Sequence, residues 1–270
     1  MQKQAKLADR YEKVMGVTPK PNSVCASDDQ ASNPLQLDQF IGYCLLQSID
    51  AARISSFVVD GQGPGETELP IMGLYPLLRA QIECASLAAW VMTPSTRRER
   101  ILRRLQASHD EFRYEKMFVE AGLELGKKTN SYKEKVRREI SRQAREQKRY
   151  LEAIADANGI AKHEYEEALP GLGDMANEAG RWLGLGSAAK VAWMLSSGFT
   201  HASFRRGLRV LDLSVSATHG NIHEGVMTTN NTYLHAGLEV VYRTTLVTLK
   251  RWGHRRIAID GERPVPTPLL

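Results

Sequence analysis

The chain is poor in cysteine, in aromatic residues and in long apolar runs, and each shortage removes a class of protein. Cys25, Cys44 and Cys84 are odd in number, far apart and without Cys-x-x-Cys spacing, so neither a disulfide framework nor a zinc knuckle is readable. A reducing cytoplasm is the expected compartment. The longest strongly apolar stretch, Cys84 to Met92, is far short of the roughly 20 residues that span a bilayer, and no membrane association is expected. The polar start Met1-Gln2-Lys3-Gln4-Ala5-Lys6 has no apolar signal region, which points away from secretion. Stretches that alternate apolar and polar residues are few, so a sheet-based fold is not expected.

What recurs instead is helical spacing, and the expected class is all-α, a multi-helix bundle with a long basic helical arm. Residues 1–34 read as an amphipathic helix over Lys3 to Met15 and a mobile loop rich in Pro, Ser, Asn and Asp. Residues 35–256 read as one helical domain that includes a charged arm at 96–158, and 257–270, with Pro264, Pro266 and Pro268, read as an extended tail. Within the domain, helices are expected over Leu35 to Val59, Leu69 to Met92, two charged segments between Thr96 and Asn158, a short one near His163, and Asp174 to Leu183. Two long helical regions, about Ser187 to Thr218 and Val226 to Trp252, close the fold. Thr96 and Glu99 have capping-box spacing. The small residues Ala80, Cys84, Ala85, Ser86, Ala88 and Ala89 mark the third of these helices as the central one, since they let neighbours approach closely.

Several catalytic and cofactor motifs are absent. Gly61, Gly63 and Gly65 follow a helix rather than a strand and lack the Lys-Ser/Thr ending of a phosphate loop, so they read as a turn. No Gly-x-Ser-x-Gly elbow, His-Glu-x-x-His or Glu-x-x-His pair is readable. His219 and His223 have the i, i+4 spacing of two metal ligands on a helix, but Gly220 and Asn221 make that segment a poor helix. Neither a metal nor a cofactor is expected.

Three features carry chemistry. The first is Arg104 followed five residues later by His109, in a segment that begins Arg97-Arg98-Glu99-Arg100. An arginine that holds a phosphate and a histidine that moves a proton suffice to cleave RNA through its own 2′-hydroxyl. On a regular helix, however, the two stand about 140° apart, so a helix end, a kink or a second subunit must bring them together. A packing histidine at the core edge is the alternative. The second is His201, with Ser197 one turn before and Arg205 one turn after, and with Arg79 and Glu83 on the central helix. This group suits an anion, a catalytic water or a small-molecule pocket, or it bonds one helix to the next.

The third feature is the arm. The net charge is +5, yet Lys127, Lys128, Lys133, Lys135, Arg137, Arg138, Arg142, Arg145, Lys148 and Arg149 face only Glu134, Glu139 and Glu146, an excess of seven over that stretch. Sequence-independent binding of a phosphate backbone is the functional reading, and a solvated charged face the plain one. Tyr132 and Tyr150 are too few to stack on single-stranded bases.

The run Leu77-Leu78-Arg79-Ala80-Gln81-Ile82-Glu83, followed by Ala88-Ala89-Trp90, Arg100 to Arg104 and later Leu195 to His201, resembles uncharacterised all-helical proteins of actinobacteria. These in turn are similar to the HEPN superfamily of helical bundles. The resemblance implies a homodimeric, metal-independent endoribonuclease or RNA-binding relative of toxin or phage-defence systems. In that reading Arg104 binds the scissile phosphate, His109 is the general base or acid, and the arm holds RNA. The alternative is a non-catalytic helical protein that docks a nucleic acid or an acidic partner on its arm.

Overall fold

A computed structural model describes residues 2–60, 72–125, 127–201, 203–219 and 222–259. The glycine turn at 61–65 and the tail from 260 lie outside the described residues. Among the described residues there are eleven helices and one hairpin: α1 (Gln2–Met15), α2 (Val24–Ser32), α3 (Leu37–Asp60), α4 (Leu74–Met92), α5 (Arg97–Glu124), α6 (Asn130–Ala157), α7 (Lys162–Tyr165), α8 (Leu172–Trp182), α9 (Ala188–Thr200), α10 (Phe204–Val210), β1 (Asp212–His219), β2 (Ile222–Thr228) and α11 (Asn231–Arg255). The protein is thus mostly helical with a small antiparallel hairpin. No helix among the described residues is long and apolar enough to cross a membrane.

Side-chain caps fix where four of these helices start. Ser23 accepts from the Ala26 N–H, Thr129 from Tyr132, Asn230 from Tyr233 and Thr96 from Glu99, each satisfying a donor that the first turn leaves orphaned. The Thr96 hydroxyl also donates to the Glu99 carboxylate at 2.8 Å, so Glu99 engages the side chain of the cap.

The chain divides into two compact units. The first is drawn from 1–18, 41–93 and 171–256, and its centre is α4, on which α8, α9 and α11 pack. Leu78, Ile82, Ala85, Ala88 and Ala89 on α4 are fully buried. Gln81, also fully buried, anchors a polar joint. Its amide donates to Gln4 Oε1 at 3.0 Å and to Thr245 Oγ1 at 3.2 Å, while Ser48 bonds both the Gln81 carbonyl and Thr245, each at 3.0 Å. Four helices, α1, α3, α4 and α11, meet on these contacts. Buried amides and hydroxyls accept few other partners, so the joint fixes one packing arrangement.

The second unit is drawn from 19–40, 94–170 and 257–259. Here α5 packs on α6, α7 and α2. Its centre is a buried ion pair: the Arg100 guanidinium meets both carboxylate oxygens of Asp28 at 2.7 Å, with both side chains at most 3% exposed. The Pro94 and Ser95 carbonyls accept from Arg100 Nη1 at 3.3 and 2.9 Å. Arg98 reaches the Gly159 carbonyl and Glu164, and Asn158 reaches the Ala31 carbonyl, so polar contacts tie the segment 158–164 to α5 and α2.

Three expectations need correction. The Gly16 to Pro34 loop contains α2, because Ser23 caps a short helix whose Cys25, Asp28 and Ser32 are buried. The expected helix over Ser187 to Thr218 breaks after Thr200, gives the seven-residue α10, and then becomes a strand. That strand pairs with 222–228, residues from which the last expected helix borrowed its start. In β1 the alternation of Leu213, Val215 and Ala217 with polar residues is a strand signal, and Ser216 forms a bulge opposite β2. Gly225 is required there, since a Cβ would lie 2.5 Å from the Ser214 carbonyl oxygen. With His219 and His223 on this hairpin, the helical spacing that suggested paired ligands does not exist.

Two outcomes test the second unit. Arg100→Ala leaves Asp28 charged and buried, and is expected to cost about 3–5 kcal/mol in urea unfolding. Asp29, half-buried, has its carboxyl pushed up to about 6, chiefly by burial, with Asp38 and Asp28 adding repulsion against the stabilising Asp38 N–H. In the unfolded chain an aspartate titrates near 3.9, so the folded state holds its proton more tightly. Stability from this group is therefore lost as pH rises through about 6. Asp29→Asn keeps the oxygen acceptor, and its gain in melting temperature should be at least about 2 °C larger at pH 7.5 than at pH 4.5.

Candidate functional site

Arg104 is buried at 8% exposure, which its position on a basic helix does not reveal. Its guanidinium donates to Ser108 Oγ, lies 3.7 Å from Glu111 and sits 4.2 Å over the Phe40 ring. His109 is half-buried, and its ring meets Tyr165 edge-on at 6.4 Å. Since α5 runs unbroken from Arg97 to Glu124, no helix end lies between the two. Each engages its own neighbours about 140° apart around the helix.

The second group does converge. Arg79 and Glu83 share a face of α4, and Arg79 Nε bonds Glu83 Oε1 at 2.7 Å. The Trp193 indole donates to the same oxygen at 2.8 Å, and Arg79 Nη1 lies 2.9 Å from His201 Nε2. A guanidinium can only donate, so this contact requires an unprotonated Nε2 and the Nδ1–H tautomer. Trp193 was not among the residues expected here. Its ring is admitted by Gly173, where a Cβ would stand 2.7 Å from it. The spacing of Trp193, Ser197 and His201, each one turn apart on α9, is the sequence signal that places it. Ser197 contributes its carbonyl, which accepts the His201 N–H at 3.0 Å. Arg205 departs from expectation, because α9 stops at Thr200 and the i, i+4 relation to His201 is lost at the break.

The basic part of the arm, 127–149, lies largely on α6, which packs on α5. Of its ten cations all but Lys133 are exposed. Their arrangement matters more than their number. Lys135, Arg138, Arg142, Arg145 and Arg149 recur at steps of three and four, so they fall within about 80° of arc and run about 21 Å along the axis. Val136, Ile140 and the buried Leu151 and Ile154 lie on the opposite side. The acids flank the stripe: Glu134 pairs with Arg138 at 3.3 Å, and Glu139 and Glu146 pair with Arg142 at 2.6 and 3.8 Å. Hydrogen bonds from Arg142 and Gln143 hold the Glu139 carboxyl below the usual range. Lys135, Arg145 and Arg149 have no acidic partner among the described residues, and neither does Lys127. Lys133 and Arg137 point to Glu124 at 3.7 Å, Lys148 to Glu152 at 3.7 Å, and Lys128 lies 5.2 Å over the Tyr132 ring.

Compared with known protein families, with curated proteins and with solved structures, the chain matches none. No group of three or more His, Cys, Asp or Glu side chains suited to a metal occurs among the described residues.

The Arg79 cluster is testable as a structural joint. Glu83→Ala removes two charge-assisted hydrogen bonds from half-buried donors and should cost about 2 kcal/mol in urea unfolding. His201→Ala, at an exposed position, should cost less than about 0.5 kcal/mol.

Proposed function

We propose that the protein binds the phosphate backbone of RNA, without sequence preference and without cleaving it, through the exposed face of α6. The observation that carries this reading is the stripe of Lys135, Arg138, Arg142, Arg145 and Arg149. It spans about 21 Å of one helix at 1.5 Å per residue, and three of its cations have no acidic partner among the described residues. A rigid row of cations suits a regular backbone and neutralises several phosphates at once, with release of their counterions. Two tyrosines on the arm offer little for stacking, which favours a structured duplex over an unpaired strand.

The choice of RNA rests on the resemblance to the HEPN superfamily, as does the expectation of a HEPN-like helical core and a homodimer. A dimer would offer two stripes to one duplex and raise the apparent affinity without new contacts. Cleavage by Arg104 and His109 is not part of the reading, because Arg104 is already bound to Ser108 and stacked on Phe40.

Fluorescence anisotropy with a labelled RNA duplex tests it. If five phosphates are engaged, the logarithm of the association constant should fall with that of salt with a slope of about −4 to −5. Changing all five stripe residues to Gln should weaken binding by about 100-fold at moderate salt and flatten the slope. Unaltered binding by this variant, or a wild-type protein that does not bind, rules the proposal out.

A further inference from the structure

The first unit carries an exposed apolar concavity that the α6 reading does not use. Met72, Phe199, Phe204, Leu208 and Met227, with Ser203 and Gly207, line an open hollow of about 160 Å³. Its floor is built: Phe199 is buried and stacks on the fully buried Tyr75 with ring centroids 4.1 Å apart. Its walls are open to solvent, with Phe204 at 74%, Leu208 at 46% and Met72 at 42% exposure. Single exposed apolar residues are ordinary on a protein surface, but several around one hollow are not. The patch continues onto the hairpin, where Leu213, cross-strand partner of Met227, and Val215 on the same face are also exposed.

Charge lies beside it. Around α10, Gly207 and Val210 face inward, Phe204 and Leu208 form a second ridge, and Arg205 and Arg209 form a third, about 100° from the apolar one. Arg206 is committed, its Nη1 bonding the Met194 carbonyl at 2.9 Å and its stem covering Gly198. Arg205 and Arg209 are exposed and have no acidic partner among the described residues. An apolar ridge and a cationic ridge side by side match a ligand with an apolar body and one negative end.

We propose that this concavity binds a small aromatic carboxylate, the ring against Phe199 and Phe204 and the carboxylate on Arg205 and Arg209. Size selects the class. An apolar protein cavity of about 150 Å³ accommodates a benzene ring, whereas a long acyl chain needs several times more room. Two aromatic side chains, Phe199 in the floor and Phe204 in the wall, favour an aryl group over an aliphatic one of equal volume. The ring supplies burial, and the charge-assisted bonds to arginine set orientation.

The test uses the full chain labelled with 13C at its methionine methyls and titrated with 3-phenylpropionate, with 3-phenylpropanol as the neutral control. Saturable shifts are expected for Met72 and Met227, which line the cavity. The alcohol should bind at least about ten-fold more weakly, as should the Arg205→Gln/Arg209→Gln variant, the loss expected for a charge-assisted hydrogen bond. Phe204→Ala, which alters an exposed wall and not the core, should weaken binding by about five-fold or more. No saturable shift at either methionine, equal affinity for the alcohol, or undiminished binding by the arginine variant each overturns the proposal.

Discussion

The first unit depends on the slimness of α4. Three helices, α8, α9 and α11, pack on it, and they approach because Ala85, Ser86, Ala88 and Ala89 give its flanks little bulk. A large side chain at any of these positions would force a neighbour outward and open the core, which tolerates neither voids nor overpacking. Close approach also brings backbone and polar atoms near one another. The joint of Gln81, Ser48, Thr245 and Gln4 follows from that proximity and locks the register of the helices that share it. The Arg79 cluster is the outer edge of the same arrangement. With most of α4 buried, Arg79 and Glu83 lie on its partly open side, and α9 is near enough for Trp193 and His201 to reach them.

The second unit meets a different constraint. Its two longest helices are heavily charged, and α6 buries only Leu151, Ile154 and Ala155. So thin a seam leaves much of the stabilisation to polar contacts in the loops and to the Arg100–Asp28 pair. A buried bidentate pair contributes little net energy compared with an apolar replacement, because desolvating both ions is costly, yet either ion without the other is strongly destabilising. It therefore acts as a keyed contact between α2 and α5. The narrow seam has a second effect: everything on α6 beyond it faces solvent, which is why a stripe of five cations can form there.

Helices with a broad apolar face or a side-chain cap were legible in the sequence. The positions of α3, α4 and α5 follow from the spacing of Leu37, Ile41 and Leu45, from Leu74, Leu78 and Ile82, and from the Thr96 cap. Helix α2 was not legible, because nine residues with a Ser cap and few apolar side chains look the same as a polar loop. The hairpin was missed for the opposite reason. Its alternating Leu213, Val215 and Ala217 follow directly on a strongly helical pattern, and short apolar stretches read either way. At the sites, Arg79 with Glu83 is a local i, i+4 pair and could be read, and Trp193 stands one turn before Ser197; the bonds of Trp193 to Glu83 and of Asp28 to Arg100 could not be read, since those partners lie 110 and 72 residues away. The burial of Arg104 was equally invisible, as it depends on Phe40 from another helix.

The acids on α6 invite the objection that the arm is already neutralised by its own ion pairs. Magnitudes decide against it. Arg138 and Arg142 pair with Glu134, Glu139 and Glu146 three or four residues away at solvent-exposed positions, where such pairs add little stability and weaken further with salt. Each phosphate that replaces such a partner also releases a condensed counterion, a gain the intrahelical pair does not have. The acids, moreover, sit at the margins of the stripe, so an arginine can turn from a glutamate to a phosphate by changing rotamer while the backbone stays fixed. In the absence of nucleic acid the glutamates would then hold the arginines near one another and moderate their repulsion. On this argument the pairs restrain the stripe in its free state and do not block it.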